Sequence, residues 1–354
     1  MNGCHALGRT LRVFASLALL ASAAWAHVAC APKTDNAGKP GASSKNASIT
    51  FYGFSILGEV MNNGVFPAFQ KKWTGEGHGD VTFRSSFGGS GTITNQIAMG
   101  APAQLALLSL ESDADRLADA KVIPDGGWKK LPNGGVVNRT PFVIFVRKGN
   151  PLGVHDFADL TKAGVKIVHP DPLTSGGANW AIVAEYGAGM REAGGNAAAG
   201  EALLSGIWKN VASQASSARA ARTQFEQGFG DALITYEQEA LYDKSRGKLQ
   251  LDVVYPRRTI LSEHTLVVVD KNISATDRAA VDAFAQFLWS DEAQRIFVQY
   301  GFRSVRDDLN AGHAEFGHIE DPFHISDFGG WRTAKKEIVD GIWKQRVMKI
   351  PPKE

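Results

Sequence analysis

Pro172-Leu173-Thr174-Ser175-Gly176-Gly177-Ala178-Asn179-Trp180 links a strand-like run to a helix-like one. Ahead of it, Val165-Lys166-Ile167-Val168 has the apolar character of a buried strand. Behind it, Trp180, Val183 and Ala184 fall on one face of a helix read from Ala178 to Tyr186. Ser175-Gly176-Gly177 therefore sits where a strand turns into a helix. The first amides of a helix lack intrahelical acceptors and lie at the positive end of its dipole. Two glycines there let the backbone approach a ligand without a Cβ in the way, and Ser175 adds a hydroxyl. Such a turn forms an anion site from main-chain N–H groups. A single Ser-Gly-Gly is also compatible with a plain N-cap and turn, so the reading depends on recurrence.

The pattern recurs. Ser86-Phe87-Gly88-Gly89-Ser90-Gly91 follows strand-like Val81-Thr82-Phe83 and leads into a helix with Ile93 and Ile97 one turn apart. Ser216-Ser217-Ala218-Arg219 precedes a helical stretch carrying Phe225. Helix starts rich in Ser and Gly that recur in this way point to convergence on one anion.

At the N-terminus, Arg9 and Arg12 precede a small apolar segment, Val13 to Ala24, too short to span a bilayer and suited to a secretory signal. Ala24-Trp25-Ala26 fits ordinary cleavage. Val28-Ala29-Cys30 resembles a lipobox, with His27 where Leu is usual, and the polar stretch Ala31 to Ala47 would serve as a tether. The expectation is lipidation at Cys30. Cys4 and Cys30 are the only cysteines, so no intramolecular disulfide is expected in the mature body.

The formal charge of +2 includes a net +4 from the first 47 residues (Arg9, Arg12, Lys33, Lys39 and Lys45 against Asp35), so Ser48 to Glu354 carries −2. That is no electrostatic footprint for nucleic acid. About 300 residues remain after leader and tether, enough for two lobes with their own cores. Strand candidates are Ser48 to Tyr52, Leu105 to Leu108, Phe142 to Val146, Val165 to Val168, Ala232 to Thr235, Leu251 to Val254 and Leu266 to Val269. Helical patterns lie between most of them, including one with Phe66, Phe69 and Trp73 on one face and Pro67 at its start or kink. The alternation predicts an α/β fold with largely parallel sheets.

Phe142 to Val146 runs into the turn-forming Arg147-Lys148-Gly149-Asn150-Pro151, and Leu266 to Val269 is the matching run later in the chain. Both are read as hinges. The expected divisions are a signal peptide over 1–29, a tether over 30–47, one lobe from 48–146 with 262–354, and a second from 147–261. An anion in the cleft between them would draw the lobes shut.

Phe87-Gly88-Gly89-Ser90-Gly91, Arg147-Lys148-Gly149-Asn150-Pro151, Thr174 to Trp180 and Phe328-Gly329-Gly330-Trp331, in that order, resemble periplasmic sulfate/thiosulfate-binding proteins. These are the solute-binding components of ABC importers, and the resemblance runs from about Ile49 to about Trp331. It implies the two-lobed type II periplasmic-binding-protein fold, no cofactor, a membrane permease as partner, and a monomer in the periplasm. It further implies a sulfate held by amides of Ser90, Gly176, Gly177 and Ala218 and by the Ser175 hydroxyl, with Gly91 and Arg219 beside them. Arg219 is expected to brace the Ala218 turn. Two positions depart: Ser55 stands where the family has Asp, and Tyr236 where it has a Trp whose indole donates. They leave the choice of anion open among sulfate, thiosulfate, phosphate and molybdate.

Other chemistry fares less well. No Walker A loop is present. A hydrolase triad built from Ser175, His169 and Asp171 is the alternative from another class, though His169 ends a strand and Asp171-Pro172 forms a turn. His313, His318 and His324 match no metal-ligand spacing. Asp113 with Asp115, and Asp307 with Asp308, are expected on solvated faces.

Overall fold

The computed structural model describes residues 46–351; the signal peptide, Cys30 and nearly all of the tether lie outside them. The chain is α/β, and its strands divide into two lobes. The first strands are β1 (Ala47–Phe54), β2 (Val81–Gly88) and β3 (Leu105–Leu108). β1 pairs in parallel with β2 on one side and β3 on the other. Its residues alternate between buried and half-buried positions, as a strand with one face on the core requires. On that face Phe51 packs against Phe66 (5.5 Å) and Phe284 (6.0 Å), from the helices Phe66–Gly75 and Arg278–Phe287.

β4 (Val136–Arg147) carries the chain across. Residues 136 to 141 pair antiparallel with β9 (Arg258–Val268), which itself pairs with β3. From Phe142 onward β4 pairs instead with β7 (Ala232–Tyr236) and β8 (Leu251–Val254). β7 continues in parallel to β5 (Ile167–Pro170), and β5 to β6 (Val211–Ala215). One strand thus belongs to both sheets, changing between Pro141 and Phe142. Short β10 (Arg303–Ser304) and β11 (Asp321–Phe323) add to β4 and β9.

Sheets with largely parallel pairing were expected; the pairing is parallel at the outer strands and antiparallel through β4 and β9. The strand expected from Val165 starts at Ile167, and the helix expected from Ala178 starts at Gly176 and runs to Glu192. The C-terminal segment, Gly330–Ala334 continuing in a wider helical turn over Lys335–Val347, crosses the molecule. Trp331 meets Trp180 edge-on at 4.5 Å, and Trp343 meets Trp208 at 5.0 Å. Arg332 pairs with Asp115 at 2.7 Å, and Arg346 with Glu201 at 2.7 Å.

Candidate functional site

Three helices begin at one place: Ser90–Ala98, Gly176–Glu192 and Ala218–Glu226, following β2, β5 and β6. The Thr92 amide donates to the Thr174 carbonyl (3.3 Å), and the Thr174 hydroxyl donates to the Ser216 carbonyl (2.9 Å). A Cβ on Gly89 would collide with the Thr174 carbonyl and stand 2.7 Å from that of Ser216. One on Gly176 would stand 2.8 Å from Ser109 Oγ and 2.9 Å from Ser90 Cβ. These glycines are thus required by close approach, and they bring the three turns into contact.

At each start the later amides have partners and the first do not. Ala178 N–H donates to Ser175 Oγ (3.4 Å), so Ser175 caps its helix and keeps its own O–H free. Ala220 N–H donates to Ser217 Oγ (3.1 Å), and Arg219 N–H to Ser55 Oγ (3.4 Å). Thr92 N–H is taken by Thr174, as above. The amides of Ser90, Gly91, Gly176, Gly177 and Ala218 precede any intrahelical acceptor. Each belongs to a buried residue. The result is a set of N–H donors at the positive ends of three dipoles.

Ser109, just past β3, joins these turns and was not singled out by sequence. It is fully buried. Its amide donates to Ser90 Oγ (3.0 Å), its carbonyl accepts from Trp180 Nε1 (2.7 Å), and its hydroxyl shares a hydrogen bond with Tyr236 OH (2.8 Å). The available signal was a lone hydroxyl at the carboxyl end of a strand, the edge where α/β sheets present ligand contacts. Ser90 Oγ in turn donates to Asp113 Oδ2 (2.6 Å), so Ser90 faces the site with its amide alone.

Asp113 was expected on a solvated face; it is 3 % exposed, held by Ser90 and by Arg116 at 2.9 Å. Burial raises its pKa, opposed by the Ser90 hydrogen bond and by Arg116. Burial also raises that of Tyr236, which stays a neutral phenol. The Tyr236 ring packs on Phe142 (4.6 Å) and lies 5.8 Å from His264. Burial lowers the His264 pKa to about 3, and its Nδ1 is bonded to Asn138 Oδ1 at 2.5 Å.

Ser55 reaches the Ala218 turn by accepting from Arg219, whose guanidinium turns away to Glu239 (3.4 Å). The triad alternative is not assembled. His169 is buried between the Pro170 carbonyl (2.6 Å) and Glu185 (3.2 Å), while Asp171 Oδ1 accepts from the Leu173 amide (2.9 Å). Neither contacts Ser175 through its side chain. Among the described residues no three or more His, Cys, Asp or Glu side chains group to hold a metal, and no helix is long and apolar enough to cross a membrane.

Residues 49–303 match the family of bacterial extracellular solute-binding proteins. The sulfate-binding protein of Synechococcus elongatus is 32% identical over 345 residues, covering 96% of this chain and 97% of that protein. The thiosulfate-binding protein of Pseudomonas aeruginosa is 34% identical, covering 78% of this chain and 84% of its own. The structure of the sulfate-binding protein SubI from Mycobacterium tuberculosis superposes with a TM-score of 0.75 at 31% identity, over 82% of this chain and 99% of that one. A periplasmic thiamin-binding protein shares the fold at a TM-score of 0.62 and 14% identity. With its two sheets joined through β4 and its unpartnered amides gathered where three helices start, the chain belongs to the bacterial extracellular solute-binding protein family.

Proposed function

We propose that this chain captures sulfate, or the related thiosulfate, outside the cytoplasm and hands it to an ABC importer in the membrane. The observation that carries this reading is the set of amides left without acceptors at Ser90, Gly91, Gly176, Gly177 and Ala218 where three helices meet. Sulfate near neutral pH is a fully ionised acceptor, and donors alone suit it. With the Ser175 hydroxyl and the Ser109–Tyr236 pair, the site offers roughly seven donors, each worth about 1.5–3 kcal/mol towards a charged acceptor. Micromolar binding requires about 8 kcal/mol net, and stripping water from a dianion costs many kcal/mol. Donors on one loop would not suffice; donors from two lobes do. The names of the sulfate- and thiosulfate-binding relatives support the same ligand.

In this reading one lobe holds 48–146 with 262–354 and the other 147–261; the change of pairing within β4, between Pro141 and Phe142, supports a first crossing near that boundary. In this reading Arg219 steadies the Ala218 turn through its backbone without touching the anion. The protein works as a binding protein, not an enzyme, and as a monomer tethered through Cys30. Membrane partitioning that is lost in Cys30→Ser tests the tether; soluble wild-type protein beginning at His27 would contradict it. Thermal-shift measurements with sulfate, thiosulfate, phosphate and molybdate test the ligand, since a ligand that binds only the native state raises Tm. No shift with sulfate or thiosulfate would overturn the reading.

A further inference from the structure

A cavity of about 300 Å³ opens against the meeting point of the helix starts, lined there by Gly91, Ser175 and Gly176. Its outer wall carries Arg116, Lys335 and Lys344, the two lysines supplied by the C-terminal segment that crosses the molecule. Two carboxylates share the wall. Asp113 is paired with Arg116 at 2.9 Å, and Asp340 with Lys335 at 3.1 Å. Lys344 has no carboxylate within ion-pair distance among the described residues, so the wall carries a net positive charge. Asn179 also lines it, buried, with Oδ1 unpartnered while its Nδ2 donates to the Pro172 and Ser175 carbonyls.

This cationic excess stands against a body whose net charge is −2 from Ser48 to Glu354. A small dianion diffusing towards such a body is weakly repelled at long range and needs a local field to find the donors. A cleft wall of one sign concentrates the counter-ion and raises the association rate without adding to the bound-state contacts.

Resting on the oxyanion reading above, we propose that this cavity is the anion's entry vestibule, and that Lys335 and Lys344 steer the anion to the amides of the Gly176 and Ser90 helices. They are positioning residues: they act on the rate of arrival, and the buried amides set the stability of the complex. The C-terminal segment thereby acquires a role in capture besides its packing on Trp180 and Trp208.

Stopped-flow tryptophan fluorescence with sulfate, on the full mature chain, separates association from dissociation. The double variant Lys335→Gln/Lys344→Gln should lower the association rate constant roughly three- to tenfold at low ionic strength, with the gap closing as salt screens the field. Its dissociation rate constant should stay within about twofold of the wild type. The control Arg346→Gln/Lys349→Gln removes the same charge from the end of that segment and just beyond it, but Arg346 pairs with Glu201 and lines another cavity; it should associate like the wild type. An unchanged association rate in the lysine variant, an equal loss in the control, or a loss confined to dissociation would overturn the proposal. So would slower entry in Arg246→Gln/Lys248→Gln, which alters the basic cavity beside Arg219, without slowing in the lysine variant. Failure of the wild type to bind sulfate by calorimetry would instead refute the functional reading, and the steering proposal with it.

Discussion

Ser109 Oγ lies 2.8 Å from the Tyr236 hydroxyl, so the carboxyl ends of β3 and β7 are joined by two buried side chains from the two sheets. Two hydroxyls that share one hydrogen bond consume one proton between them and leave the other free. Either oxygen can be the one that presents it. The pair therefore acts as one adaptable donor.

The first prediction follows from that equivalence. Ser109→Ala or Tyr236→Phe alone leaves a hydroxyl able to donate, so each should cost sulfate binding less than about 1 kcal/mol. Removing both should cost about 1.5–3 kcal/mol, the value of a hydrogen bond to a charged group. A double-mutant cycle by calorimetry measures the coupling. Additive losses would show that the two residues act separately.

Close approach gives the second. A Cβ on Gly176 would press on Ser109 and Ser90 at 2.7 to 2.9 Å, and one on Gly177 on Tyr236 at 3.0 Å. Gly176→Ala and Gly177→Val should weaken sulfate binding roughly 10- to 100-fold, the equivalent of the 1–3 kcal/mol typical of overpacking. Unchanged affinity in both, measured by calorimetry, would remove this turn from the site.

The donors at the helix starts were legible in the sequence because Ser and Gly do the same local work there wherever a helix opens onto a ligand. Ser109 was not. It follows the uniformly apolar Leu105–Leu108 and precedes another Leu, so its surroundings carry no periodic signal. Asp113 misled because, with Asp115 two residues on, it read as part of a solvated face, whereas the Ser90 hydroxyl draws it inward. Phe142 to Val146 reads as a hinge, but the first half of β4, from Val136 to Pro141, carries no strand signal. A strand that serves two sheets is buried on both faces along most of its length, so alternation fails, and the sequence of Phe142 to Val146 shows only its second half. The course of the C-terminal segment depends on tertiary contacts between tryptophans, which local pattern does not encode.

His264 supplies a pH test. Its folded pKa is lowered to about 3 by burial, below the ordinary value near 6.5. The unfolded chain therefore binds a proton that the native chain refuses between those limits. Stability from this group is whole above about pH 6.5 and falls as the pH drops towards 3, by up to about 1.4 kcal/mol per pH unit. His264→Gln should flatten that part of the acid-unfolding profile, followed by Tm against pH. An unchanged slope would mean that another group dominates acid sensitivity.

The central claim is that unpartnered donors at three helix starts hold a fully ionised tetrahedral oxyanion. Phosphate near neutral pH retains a proton that needs an acceptor, and among the described residues the carboxylates nearest these turns are engaged, Asp113 by Ser90 and Arg116 and Asp340 by Lys335. Titration calorimetry with sulfate and phosphate from about pH 6 to about pH 8 measures this most directly. The account predicts sulfate bound at micromolar Kd or tighter, nearly independent of pH, and well ahead of phosphate. Phosphate binding as tightly as sulfate would contradict it.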